Sequence, residues 1–179
     1  MKNVLIINST YRKGGNSEIL AAEFAKGASE AGNMVNTIHL REIKMNFCIG
    51  CLSCLKTGKC VLSDDINEIL PLVQNADVIV FATPVYYYSM SGQLKTFLDR
   101  LNPLYGQSNK FKEIYLLATA ADNDKSAMEG TIHGIQGWID CFPGVKQKGA
   151  IYGTGADAIG TIRKTAACQE AYQLGKSIH

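Results

Sequence analysis

No apolar run in the chain approaches the roughly 20 residues that a membrane-crossing helix needs, so a bilayer span is not expected. Charge of one sign is equally scarce. Eighteen Lys and Arg stand against sixteen Asp and Glu, a net charge of +2, too small to suggest nucleic acid or phospholipid as a partner. Internal repeats, low-complexity segments and Pro/Gly-rich linkers are missing. With 179 residues, a single domain over 1–179 is expected. The N-terminus enters a strand-like run at once, with no cleavable leader, which makes a cytoplasmic location the expectation. Only three histidines occur: His39 at the end of a strand-like run, His133 in a helical one, and His179 at the terminus. No Ser/His/Asp arrangement can be read from them. Neither the dinucleotide glycine fingerprint nor the P-loop is present.

What is present is alternation. Short apolar runs at 3–8, 34–40, 77–84, 112–119 and 145–153 read as strands. Helical stretches lie between them. The first covers 16–32, with Ile19, Phe24 and Ala28 on one side, Asn16 placed as an N-cap and Gly32 as a terminator. The next begins near Ile66 and carries Ile69, Leu70 and Val73. Asp65 and Glu68 stand at capping-box spacing, and Pro71 predicts a kink or a short helix. Leu94, Phe97, Leu98 and Leu101 share a face of a helix over 91–101. Two further helices are expected within 126–140 and 160–178. Five strands alternating with helices predict an α/β fold, with a parallel sheet covered on both faces and right-handed crossovers. Ligands of such sheets sit beyond the carboxyl ends of the strands. The loops after the first, third and fourth strands are therefore the places to look for chemistry.

The first of these loops reads NSTYRKGGNSEIL. It offers hydroxyls (Ser9, Thr10), cations (Arg12, Lys13), two glycines (Gly14, Gly15), and then Asn16 and Ser17 opening a helix. Unpaired N–H groups and the partial positive charge of a helix start favour an anion there, so a phosphate cradle is the leading reading. The alternative is an ordinary Gly-rich turn. The loop after the third strand reads ATPVYYYSMSGQLKTFLDR and supplies a stiff Pro84–Val85 pair followed by Tyr86, Tyr87 and Tyr88. Lys95, Asp99 and Arg100 look like a solvated helix face.

The stretch IINSTYRKGGNSEILA resembles the phosphate loop of the NADPH-dependent FMN reductase family, close to I-N-G-S-P-R-x-G-G-N-[ST]. Thr10, Arg12, Gly15, Asn16 and Ser17 match, while Ser9 and Tyr11 replace a glycine and a proline. Pro84, Val85, Tyr86, Lys95, Asp99 and Arg100 fit the family's second motif, and GAIYGTGADAIGTI is similar to its last strand and the loop beyond. The resemblance implies a flavodoxin-like, doubly wound five-stranded parallel sheet of order 2-1-3-4-5, non-covalent FMN, and a homodimer or homotetramer. It also implies NAD(P)H as a transient donor and a flavin, quinone or similar small molecule as acceptor. The implied FMN-binding set is Ser9, Thr10, Arg12, Gly15, Asn16 and Ser17 at the phosphate, Pro84, Val85, Tyr86 and Tyr87 at the ring, and Thr119 and Ala120 after strand four. No catalytic side chain is assigned, because the flavin supplies its own redox chemistry.

Four of the six cysteines fall in NFCIGCLSCLKTGKCVLSDD, within a connection of about 44–64. Cys48, Cys51, Cys54 and Cys60 have a C-x2-C-x2-C-x5-C spacing. It resembles the compact motif of the iron–sulfur flavoprotein branch of the same family, which implies a [4Fe–4S] cluster and an electron carrier fed by a ferredoxin-like protein. Free thiols or labile disulfides, with nearby lysines lowering the thiol pKa, and a zinc site remain open beside that reading. Cys141 and Cys168 are expected to be buried small hydrophobes.

Overall fold

A computed structural model describes all 179 residues. Its sheet is built from β1 (Asn3–Asn8), β2 (Met34–His39), β3 (Val78–Tyr86), β5 (Glu113–Thr119) and β6 (Lys146–Gly153), in the order β2-β1-β3-β5-β6. All neighbours along that path are parallel. The order is the expected 2-1-3-4-5, with one addition. A two-residue strand, β4 (Ser89–Met90), pairs antiparallel with the end of β3 and forms a hairpin not foreseen in the sequence.

Period-two alternation sends neighbouring strand residues to opposite faces. Val4, Ile6, Val78, Val80, Tyr115 and Leu117 enter one core, beneath α1 (Asn16–Glu30) and α6 (Ala167–Lys176). Leu5, Ile7, Ile79, Phe81, Ile114 and Leu116 enter the other. That second core lies beneath α3 (Ile66–Asn75), α4 (Gly92–Arg100) and α5 (Glu129–Ile139). Each fully buried Leu, Ile or Phe here contributes about 1.5–3 kcal/mol. α1 and α6 approach so closely that a Cβ on Gly27 would meet the Tyr172 carbonyl oxygen at 2.0 Å.

Several local expectations are corrected. The N-cap of α1 is Gly15, not Asn16, which stands one residue inside the helix. The capping box at Asp65 does not form: the Asp65 carboxylate accepts instead from the Lys44 N–H at 2.7 Å, and Asp64 accepts from the Ile66 N–H. Pro71 is accommodated inside a ten-residue helix, as the short-helix expectation required. No helix is long and apolar enough to cross a membrane.

Candidate functional site

Four loops meet at the carboxyl end of the sheet and enclose a cleft of about 130 Å³. Thr10, Arg12, Gly15, Asn16 and Ser17 line it from the β1–α1 loop, Pro84, Val85 and Tyr86 from the end of β3, and Thr119 and Ala121 from the end of β5. Ala156 and Asp157, from the loop after β6, complete the wall; they fall in the stretch likened to the family's last loop, but were not among the expected site residues.

The floor of the cleft has the features of an anion cradle. Ser17 is buried, and its hydroxyl oxygen has no hydrogen-bond partner. A buried hydroxyl without a partner costs free energy, so an acceptor brought to it recovers a bond already missing. The backbone N–H groups of Asn16, Ser17 and Glu18 donate to no carbonyl, as expected for the first turn of a helix. Gly15 is closely packed: a Cβ would stand 3.0 Å from both the Arg12 carbonyl oxygen and Thr10 Oγ1, tighter than an ordinary contact. Glu18 would oppose an anion, but Arg41 neutralises it with two hydrogen bonds of 2.8 and 3.0 Å. Burial pushes the Glu18 carboxyl up, and the bonds from Arg41 and the Gly14 N–H more than reverse that, so it is held below its ordinary value.

Not every residue of the expected set faces the cleft. Ser9 Oγ donates to the Ala82 carbonyl and accepts from Ser91 Oγ at 2.9 Å. Ser91, the N-cap of α4, also receives the Leu94 N–H, and its own N–H donates to Thr83 Oγ1. Ser9 therefore ties the first loop to the third instead of lining the cavity. The Asn16 side chain donates to the Ala156 and Ala158 carbonyls at 2.9 and 2.8 Å, and accepts from the Gly160 and Ile162 N–H groups. Its amide clamps the last loop, and only its backbone is free for a ligand. Arg12 is exposed, with Nη1 on the Asp157 carbonyl at 3.0 Å. Ala120 is buried in the loop, its N–H on Gly153 and its carbonyl receiving the Ala156 N–H; Ala121 takes the wall position. Tyr87 lies outside the cleft, wholly exposed at the hairpin tip.

The cysteine segment forms a second place of interest. Cys48, Cys51, Cys54 and Cys60 all line one cavity of about 460 Å³, together with Arg100, Asn102, Tyr105, Trp138 and Cys141. All six cysteines are free thiols. The four sulfurs are not gathered into a ligand cage. Cys54, at the start of the short α2 (Cys54–Thr57), is buried and accepts from Asn102 Nδ2 at 3.0 Å. Cys60 accepts from Arg100 Nη2 at 3.5 Å. Cys48 and Cys51 are exposed. The Cys51 thiol is pushed below its ordinary value by hydrogen bonds from Ser53, not by the lysines invoked from the sequence. Cys141 is exposed on the cavity rim instead of buried, because its helix ends there.

Arg100 departs most from expectation. It is the largest fully buried side chain, not a solvated one. Its guanidinium grips the Asp64 carboxylate through two bonds of 2.6 and 2.8 Å and donates to the Asn46 carbonyl at 2.7 Å, pinning both ends of the cysteine segment. The Arg100 hydrogen bonds hold Asp64 down at a pKa of about 2. Lys95 and Asp99 do lie on a solvated face, where they form an exposed i,i+4 ion pair.

Known proteins share this architecture and these motifs. Residues 2–134 match the family described as NADPH-dependent FMN reductase. A protein of Archaeoglobus fulgidus named iron–sulfur flavoprotein is 39% identical over 115 residues, which cover 64% of this chain and 51% of that protein. The chain thus spans about half the length of these iron–sulfur flavoproteins. A Bacillus subtilis protein, named as an NAD(P)H-dependent FMN-containing oxidoreductase, is 28% identical over 181 residues, 97% of this chain and 96% of its own. The solved NAD(P)H:quinone oxidoreductase of Methanothermobacter marburgensis superposes with a TM-score of 0.77 at 19% identity, covering 99% of this chain and 97% of that one. With the matched region covering most of the sequence, including the cleft loops after β1, β3 and β5, the chain belongs to the NADPH-dependent FMN reductase family.

Proposed function

We propose that the chain holds FMN in the cleft and acts as an NAD(P)H-dependent oxidoreductase for a small acceptor of the quinone or flavin class. The observation that carries this reading is the unpartnered, buried Ser17 hydroxyl above three free N–H groups, a site in want of an oxyanion. Ser17 and the first turn of α1 would take the phosphate, with Thr10 beside them and Arg12 adding charge from the rim. Pro84, Val85 and Tyr86 would form the flat wall against the ring and exclude water, with Thr119 opposite. FMN, when bound, supplies the redox chemistry, so the protein needs only to bind, orient and shield. One cytoplasmic unit, assembled as a homodimer or homotetramer through exposed apolar residues such as Phe47, Ile49 and Tyr105, fits the reading.

Purified protein should be yellow and yield about one FMN per chain on extraction. Ser17→Ala should weaken FMN by about 10- to 100-fold while leaving riboflavin affinity nearly intact, since a hydrogen bond to a charged group contributes about 1.5–3 kcal/mol. Equal losses for both ligands would assign the loop another role, and a colourless protein whose melting ignores added FMN would remove the reading.

The shared cavity of Cys48, Cys51, Cys54 and Cys60 favours a second reading, an electron carrier with a [4Fe–4S] cluster on those thiolates and a ferredoxin-like partner. The segment would have to draw Cys48 and Cys51 in towards the anchored pair. Anaerobic reconstitution should then load about four irons per chain and give an EPR signal on reduction, both abolished by Cys54→Ser. No iron uptake, alongside normal NADPH-driven flavin reduction, would make the cysteines dispensable.

A further inference from the structure

The turn of the β3–β4 hairpin is Tyr87–Tyr88, and both residues are left-handed, with φ of 48° and 61°. Two-residue hairpin turns need positive φ at both central positions, and Asn-Gly is the usual solution because a bulky side chain is strained there. Two adjacent tyrosines are therefore an expensive choice. Burial does not compensate for it: Tyr87 is 101% exposed and Tyr88 63%.

The rest of the hairpin is fixed so that the turn cannot relax. Val85 pairs with Met90 and Tyr86 with Ser89. A Cβ on Gly130 of α5 would stand 2.2 Å from the Tyr88 carbonyl oxygen, so the turn backbone lies directly on that helix. Gly134, one turn along, leaves room for Met90. The strain is held in place, and the contact that rewards it is absent from the chain itself. Strained residues held in this way cluster at active sites and ligand clamps.

The position of the turn says what it could bind. Tyr86, at its root, is a wall of the cleft. The turn follows directly on Tyr86 at the carboxyl end of β3, so it projects from the edge of the sheet at which the cleft opens. We propose that Tyr87, whose backbone the hairpin fixes, is a specificity-determining shelf on which a planar aromatic acceptor of the quinone class stacks. This rests on the proposed flavin-dependent activity. The tyrosine ring offers a large flat apolar face with only two side-chain torsions to immobilise, on a backbone the turn has already fixed.

The test compares wild type with Tyr87→Asn/Tyr88→Gly, which suits the turn, and with Tyr87→Phe. FMN-loaded protein would be assayed with menadione, a planar quinone, and with ferricyanide, which has no aromatic face. The Asn-Gly variant should melt at a higher temperature than wild type, because strain is relieved. Its KM for menadione should rise at least fivefold with a much smaller change in kcat, and its preference for menadione over ferricyanide should fall accordingly. Tyr87→Phe should keep the wild-type KM. An unchanged menadione KM in the stabilised variant overturns the proposal. So does loss of the native oligomer on light scattering, which would assign the tyrosines to a contact between copies. A wild-type protein that takes up no FMN would instead sink the flavin reading on which the shelf depends.

Discussion

The side chain of Arg100 reaches the interior because its position on α4 is three residues past Phe97, on the face that packs inward, and because Asp64 waits there. A buried guanidinium is tolerated only when paired, and both Asp64 oxygens meet it. This has a pH consequence. Asp64 has a folded-state pKa of about 2, below its ordinary value near 3.8. Stability from the pair is therefore complete above about pH 4 and is lost as the pH falls towards 2, in total on the order of 2 kcal/mol. Acid titration of the wild type should show loosening of the cysteine segment in that window, followed by amide exchange at residues 46–64. Asp64→Asn should abolish this acid step. At neutral pH it should cost about 3–5 kcal/mol by leaving the Arg100 charge buried and unpaired. An acid profile identical in the two proteins would mean that the pair does not anchor the segment. From the sequence, Lys95, Asp99 and Arg100 looked alike, three charges on an amphipathic helix. What separates them is a partner 36 residues away, which no local period reveals. Asn16 was hidden in the same way: its identity marked the loop as special, but the carbonyls it bonds lie about 140 residues further on.

At the scale of elements, the central strands β1, β3 and β5 were legible because they are buried on both faces and read as unbroken apolar runs, while the edge strands β2 and β6 are partly exposed and carry a weaker signal. The hairpin was not, because Tyr-Tyr carries none of the Asn/Gly signal of a tight turn. Helix contacts were also hidden, since they depend on absent side chains. Gly27 and Gly175 sit where α1 crosses α6, and a Cβ on Gly175 would stand 2.1 Å from the Phe24 carbonyl oxygen. Gly137, exposed in α5, would meet nothing within 4 Å. These glycines should respond oppositely to alanine. At Gly137 the change should stabilise by about 0.5–1 kcal/mol, by restricting the unfolded chain. At Gly27 or Gly175 the same gain in helix propensity is outweighed by backbone overlap, and a net loss of about 1–3 kcal/mol is expected. Urea titration of the three variants decides it. A stabilised Gly175→Ala would show that α6 can lift from α1 without cost.

Across the whole molecule, the cleft is a junction of four loops tied to one another before any ligand arrives. Ser91 links the third to the first, Asn16 and Arg12 link the first to the last, and Ala120 bonds both Gly153 and Ala156. The sequence placed this junction correctly at the carboxyl end of the sheet because parallel topology dictates it. Thr10, Gly15 and Ser17 were legible in their motif, but the contribution of Ala156 and Asp157 emerges only when the last loop folds back over α1. A ligand seated among four cross-tied loops should stabilise the fold as a unit, not one loop at a time. FMN at about 100 times its dissociation constant should add about 2.7 kcal/mol, a rise in melting temperature of about 5–10 °C for a domain of this size. A tenfold weaker Ser17→Ala protein at the same FMN concentration should lose about 1.4 kcal/mol of that gain. Amide protection on binding should appear in the loops after β1, β3, β5 and β6 together and leave the opposite end of the sheet, around residues 106–112, unaltered. Protection confined to the cysteine segment would place the ligand in the larger cavity, and the four-loop cleft would then need another occupant.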